Sequence, residues 1–133
     1  MRIVRAFRPI IMMAFGLALI ACSGEKPESV LQTFYQAVAA GDAETAARQI
    51  SYSRVPAGFR AQADGKVRML LGEMHSRIQA NDGLDKIEMV AVNMAAGGKT
   101  AKIRTRLKFK NGKEHLQNHR LVREGGGWKI VLG

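Results

Sequence analysis

Four side chains in this sequence stand out as possible nucleophiles, bases or metal ligands: the single thiol of Cys22 and the imidazoles of His75, His115 and His119. A tetrahedral metal site brings its ligand atoms within ~2.1 Å of one ion. His115 and His119 are four residues apart in a stretch that reads as strand, which separates them by ~13 Å at 3.3 Å per residue. They cannot share an ion in that geometry. His75 falls on a helical stretch with Glu73 and Arg77 close by, and reads as a surface residue. No Ser-His-Asp or Cys-His spacing pairs a nucleophile with its base. Gly125-Gly126-Gly127 runs into a strand, so no helix follows to offer its amides to a phosphate. Neither a cofactor nor a metal is expected, and no catalytic constellation is visible.

The use of Cys22 follows from what precedes it. Arg2, Arg5 and Arg8 form a basic start with no acid nearby, and Pro9 to Ala21 is a nearly unbroken apolar run of 13 residues. A membrane-spanning helix needs ~20 apolar residues. The layout is that of a cleaved secretory signal peptide, residues 1–21. Leu19-Ile20-Ala21-Cys22 resembles the lipobox of bacterial lipoproteins, with Leu at −3, a β-branched residue at −2, Ala at −1 and Cys at +1. That resemblance implies a diacylglycerol on the Cys22 thiol, cleavage before it, and acylation of the new amino terminus. Each buried methylene adds about 0.8 kcal/mol, so two or three chains hold firmly where one would not. Ser23, not Asp, follows the cysteine, which is similar to lipoproteins of the outer membrane. The expected location is therefore the periplasm-facing side of the outer membrane. Ser23 to Lys26 is a tether of ~14 Å at most.

The first 21 residues hold three of the 21 basic residues and none of the 11 acidic ones, so the remaining 112 keep a net charge of +7. That length makes one domain. The basic balance suggests an anionic partner, such as a lipid surface or an envelope protein; the export signal argues against nucleic acid. With no thiol after Cys22, the domain has no internal disulfide and depends on its core. The sequence leaves the oligomeric state open.

Pro27 to Ala40 reads as a helix, with proline in the first turn and Val30, Leu31, Phe34 and Val38 as an apolar stripe. Gly41 ends it, and Asp42 caps a second helix from Ala43 to about Ile50. Its buried side is Ala43, Ala46, Ala47 and Ile50. Ser51 to Asp64 reads as irregular, with Tyr52, Val55 and Phe59 available to pack it down. Gly65 to Ala80 reads as a third helix, with Val67, Leu70, Leu71, Met74 and Ile78 inward. Met69, Met74, Met89 and Met94 are expected as packing residues. After Asn81-Asp82-Gly83 four antiparallel strands follow: Leu84 to Asn93, Thr100 to Lys110, Lys113 to Arg123 and Trp128 to Leu132.

Asn111-Gly112 is the strongest two-residue hairpin signal. Taken as the loop, it sets Lys110 opposite Lys113, Leu107 opposite Leu116 and Arg104 opposite His119. One face of the ribbon then holds Ile103, Thr105, Leu107, Phe109, Leu116, Asn118, Arg120 and Val122. The other holds Lys102, Arg104, Arg106, Lys108, Lys110, Lys113, His115, Gln117 and His119. Like charges across a strand pair are unfavourable. The basic face is thus either a solvated surface that discourages aggregation or a surface for anionic headgroups or an acidic envelope partner. Thr105, Asn118 and Arg120 either line a polar patch in a cavity near Phe34 and Trp128, or satisfy backbone groups and water.

Residues 27–133 resemble the nuclear-transport-factor-2-like, or cystatin-like, superfamily. Pro27 to Asp42 looks like its opening: a first helix with an aromatic pair, Phe34-Tyr35, running into Gly41-Asp42. Gly83 to Glu88 and Gly127-Trp128-Lys129-Ile130 look like its strand starts and closing strand. The similarity is greatest to small bacterial lipoproteins of uncharacterised function. It implies an α+β roll, three helices on a curved four-stranded antiparallel sheet, with a cone-shaped cavity between them. Superfamily members include enzymes, binding proteins and scaffolds. Relatives like ketosteroid isomerase place a tyrosine eight residues before the Gly-Asp aspartate, where this chain has Phe34, and inward carboxylates on the sheet, for which only Glu114 is available. The expectation is a non-catalytic binding module. A carrier or sensor of a small apolar or lipidic ligand is the alternative, and an isomerase or hydrolase a weaker one.

Overall fold

The computed structural model describes residues 26–132. The expected signal peptide, residues 1–21, and the expected lipidation site Cys22 lie outside the described residues. Helix α1 spans Pro27–Ala40, α2 Ala43–Arg48 and α3 Arg60–Ala80. Strands β1 (Leu84–Met94), β2 (Thr100–Phe109), β3 (Glu114–Glu124) and β4 (Gly127–Val131) form one antiparallel sheet in the order β1-β2-β3-β4. The fold is α+β, with helices packed on one face of a four-stranded sheet.

Local chemistry accounts for the helix ends. Pro27 opens α1, where its missing N–H costs nothing. Gly41 closes α1 at φ 78°; its own N–H donates to the Val38 carbonyl and the Asp42 N–H to that of Ala37. That left-handed residue is cheap only for glycine. Asp42 then accepts from the Thr45 N–H at 3.1 Å and caps α2. Helix α3 begins five residues before the expected Gly65. Arg60-Ala61-Gln62-Ala63 are good helix formers, and a 3-10 turn over Ala57–Phe59 feeds them into the helix. Phe59, expected to pack, stays exposed.

The core lies between Val30 and Ile130, so the segment from Ser23 onward carries all of it. Val30, Leu31, Phe34 and Val38 are buried as their spacing predicts, and Tyr35 joins them at 1% exposure. From α3 only Val67, Leu71 and Ile78 are fully buried, with Met74 packed beside them. Leu70, expected inward, is 42% exposed at the cleft. Met69 and Met94, expected in the core, are 67% and 50% exposed. A helix of 21 residues against a small sheet has one narrow inward seam, and Met69 lies off it. Ile50 bridges Ile130 in parallel, the Ser51 N–H donating to the Ile130 carbonyl and the Ile130 N–H to that of Gln49. The segment after α2 thereby covers the outer edge of β4.

The β2–β3 hairpin differs from expectation by one residue. Leu107 faces His115, Arg106 faces Leu116, Thr105 faces Gln117 and Arg104 faces Asn118. The loop is the three residues Lys110-Asn111-Gly112. The Gly112 N–H donates to the Phe109 carbonyl, and the Phe109 N–H to the Lys113 carbonyl. Gly112 sits at φ 92°. This is a tight turn followed by a left-handed glycine, the usual three-residue hairpin with a bulge. The Asn111 side chain stabilises it by accepting from the Lys113 N–H. A one-residue slip moves every side chain of β3 to the opposite face. Asn118, Arg120 and Glu114 are therefore on the outer face, and His115, Gln117 and His119 on the inner one. Leu116, expected inside, is 44% exposed.

A second irregularity sits in β1. The register shifts between Met89 and Ala91, leaving Val90 as an extra residue. Such a bulge bends its strand. Beyond it Ala91 and Asn93 lie opposite Arg104 and Lys102 on the outer face. Strand β4 stops at Val131, opposite Arg120, so Glu114 to His119 of β3 has no strand on its far side.

Candidate functional site

An open cleft of about 1340 Å³ borders the unpaired stretch of β3 and takes residues from both faces of the sheet. The two sides differ in chemistry.

On the inner side α1 supplies Phe34 and Tyr35, α3 supplies Leu70 and Met74, and the sheet supplies Leu107, His115, Gln117 and His119. Phe34 and Tyr35 are adjacent on α1, about 100° apart, and both are buried because α1 lies across the sheet, touching both edge strands, β1 and β4. Their rings meet edge to face, centroids 5.1 Å apart. The Tyr35 hydroxyl is 2.6 Å from His119 Nε2. With the ring proton on Nδ1, the hydroxyl donates to Nε2. Burial holds the Tyr35 hydroxyl well above its ordinary range, and the Thr105 hydroxyl beside it opposes that only in part. Burial also lowers His119 from 6.5 to about 4, so the imidazole is neutral at pH 7. Thr105 is fully buried and donates to the Gln117 carbonyl. Trp128 is buried on the same face, opposite Arg123, whose guanidinium lies 5.6 Å from the indole centroid.

Of the expected cavity residues, then, Phe34, Thr105 and Trp128 belong to the inner side, and of these three only Phe34 lines the cleft. Asn118 and Arg120 are carried outward by the register. The residues that sequence reasoning missed are Tyr35, His119 and Gln117. The signal available for them was the glycine in the hairpin, which suits a three-residue loop as well as a two-residue one. His75, read as a surface residue, is partly buried and binds the Val38 carbonyl through Nδ1 at 2.8 Å, tying α3 to the end of α1.

On the outer side the basic residues of β2 fall into two groups. Arg106 lies 3.2 Å from Glu88 and 3.5 Å from Glu114; Lys108 lies 3.4 Å and 3.8 Å from the same two carboxylates. The Arg106 hydrogen bond holds Glu88 below the usual carboxylate range. Two of the expected anion-binding cations are thus matched by acids from the flanking strands. Lys102 and Arg104 are exposed and, among the described residues, have no carboxylate partner. Arg120 joins them from β3, directly opposite Lys102. Asn93 and Asn118 flank the three. Lys110 sits in the hairpin loop and Lys113 at its far end, facing Phe109 rather than the other cations.

A family match covers residues 20–131, under the description Domain of unknown function (DUF4878). The chain belongs to this family. The DUF4878 match begins two residues before Cys22 and spans the whole described fold. No protein among those curated for function matches the chain. Among solved structures, the DUF4878 chain is similar to a Campylobacter jejuni protein named an NTF2-like transpeptidase. The identity is 19% and the TM-score 0.73, with 81% of this chain and 99% of that one covered. At that identity the likeness establishes an NTF2-like fold. The intermembrane space region of the chloroplast protein ARC6 also matches, at 12% identity and a TM-score of 0.41, over 79% of this chain and 89% of that one.

Proposed function

We propose that this DUF4878 domain is a non-catalytic binding module of the cell envelope. It is lipid-anchored at Cys22 after cleavage of the signal peptide, faces the periplasm from the outer membrane, and turns its outer sheet face toward an anionic partner. The observation that carries this reading is the contrast along β2. Arg106 and Lys108 have carboxylates within 4 Å, whereas Lys102, Arg104 and the facing Arg120 have none among the described residues. Each basic residue near an anionic surface adds about 1 kcal/mol, screened within a Debye length. The test is sedimentation of the segment from Ser23 onward with anionic vesicles. Binding should fall as salt rises and should be lost when Lys102, Arg104 and Arg120 are reversed to Glu. Equal binding by the reversed variant would refute the reading. Palmitate incorporation lost in Cys22→Ser tests the anchor separately.

The inner cleft supports a second reading, a carrier or sensor of a small apolar or lipidic ligand. Its apolar lining and the neutral Tyr35–His119 pair favour an uncharged or weakly polar guest. An isomerase or hydrolase remains the weakest reading. Acyl transfer of the kind named for the Campylobacter jejuni protein needs an activated nucleophile, and burial makes Tyr35 harder to ionise rather than easier.

A further inference from the structure

Resting on the reading of the outer face as anion-binding, we propose that Lys102, Arg104 and Arg120, flanked by Asn93 and Asn118, form a discrete site for one phosphate group. The register supplies the geometry. The Phe109–Lys113 pair is hydrogen-bonded, and hydrogen-bonded and non-hydrogen-bonded pairs alternate along an antiparallel ladder. Lys102–Arg120 and Arg104–Asn118 are therefore both non-hydrogen-bonded pairs, the closer kind, with Cα atoms ~4.5 Å apart. Lys102 and Arg104 lie ~7 Å apart along β2 and point to the same side. Arg120 reaches Arg104 on the diagonal, which long side chains span.

Two like charges held directly opposite each other destabilise a sheet. Elsewhere on this face the fold offsets such a pair: Lys86 faces Lys108, and Glu88 and Glu114 flank Lys108. At Lys102–Arg120 the neighbours are instead two neutral amides. The β1 bulge bends the sheet at this point, and all five residues line the cleft. A bound anion supplies the missing counter-charge. Two guanidinium forks and one ammonium offer more donors than a carboxylate, with two oxygens and one charge, can use. A phosphate monoester has three terminal oxygens and up to two charges, and guanidinium binds it through paired N–H groups. The amide N–H groups of Asn93 and Asn118 reach the rim of such a group. The phosphate can belong to a lipid headgroup or to a soluble phosphate ester.

The experiment titrates inorganic phosphate into the segment from Ser23 onward at constant ionic strength set by chloride. The readout is the side-chain amide NMR signals of Asn93 and Asn118. Saturable shifts at one phosphate per chain are expected. Affinity should drop about tenfold or more in Arg120→Gln and Lys102→Gln, which corresponds to about 1.4 kcal/mol. It should be unchanged in Lys110→Gln, at the hairpin loop. A second arm compares vesicles carrying phosphatidic acid with vesicles of phosphatidylglycerol at matched surface charge. Preference for phosphatidic acid, competed by free phosphate, identifies the headgroup as source; saturable free phosphate binding without vesicle binding identifies a soluble ester and removes the membrane-facing reading alone. No saturable shift, with vesicle binding intact and equal for both lipids, overturns the discrete site and leaves diffuse attraction by the face. Equal loss in Lys110→Gln also overturns it.

Discussion

The Tyr35 hydroxyl lies 2.6 Å from Nε2 of His119, joining α1 to the inner face of β3 across 84 residues of sequence. The contact exists only because the hairpin loop has three residues. It places a titratable group, partly buried, at the base of a cleft.

That group sets a pH dependence. His119 binds its proton at about 4 in the folded chain and at 6.5 when exposed. Between those values the unfolded state binds more protons, so stability falls as pH drops through that window. The loss is on the order of 3 kcal/mol at about 1.4 kcal/mol per pH unit. Denaturant midpoints measured across the window should slope in the wild type and flatten in His119→Gln, whose amide can still pair with Tyr35. Glu88 and Asp42, held below their ordinary ranges by hydrogen bonds from Arg106 and Thr45, lose stability in the same direction, starting only at the acid end of the window, and that part of the slope persists in His119→Gln.

The register can be read directly by cross-linking. Arg104 and Asn118 are a close non-hydrogen-bonded pair, within the Cα range of 4.4–6.8 Å that a disulfide accepts. In the segment from Ser23 onward, Arg104→Cys with Asn118→Cys should oxidise to an intramolecular bridge. Arg104→Cys with His119→Cys places the thiols on opposite faces and should not. The reverse pattern would return the hairpin to a two-residue loop.

Gly112 holds the loop at φ 92°, where a Cβ is strained whatever the space around it. Gly112→Ala should cost about 1–2 kcal/mol. Gly58→Ala is the control, with no positive φ and nothing within 4 Å of its added carbon. It should be neutral within about 0.5 kcal/mol by urea denaturation.

Glu88 is shared by Arg106 and Lys108, and the groups are partly exposed. Glu88→Gln should therefore leave the urea midpoint nearly unchanged. It should also strengthen binding to anionic vesicles at low salt, because Arg106 and Lys108 each lose one of their two carboxylate partners and keep only Glu114. Unchanged or weaker binding would mean that the β2 cations do not set the affinity of the face.

Most of the fold was legible because the local signals agreed. Pro27, the apolar stripe from Val30 to Val38, Gly41 and Asp42 all point to the same helix-turn-helix. The alternation from Ala101 to Phe109 left no doubt about which face of β2 is inside. Strand β3 was different. One register puts Leu116 and Val122 inward with Asn118 and Arg120; the other puts Leu121 inward with His115, Gln117 and His119. Neither set is cleanly apolar, so hydrophobic pattern could not choose, and Asn-Gly fits both loops. The start of α3 was hidden by Pro56 and Gly58, whose breaking effect ends at Phe59, so the helix begins at Arg60 and not at Gly65. The pairing of Arg106 and Lys108 with Glu88 and Glu114 was illegible for a related reason, since it depends on which residues share the outer face.

The three-residue loop also constrains how this hairpin can change. Side chains in a strand alternate with a period of two, so loop length acts as a parity setting. Removing one residue from Lys110-Asn111-Gly112 would exchange the whole inner set of β3 for the outer one, unpairing Tyr35 and separating Arg120 from Lys102 in a single step. Changes of two residues keep the parity. Insertions and deletions here should therefore be tolerated in even numbers, and an odd one should act as a frameshift of surfaces rather than as a local defect.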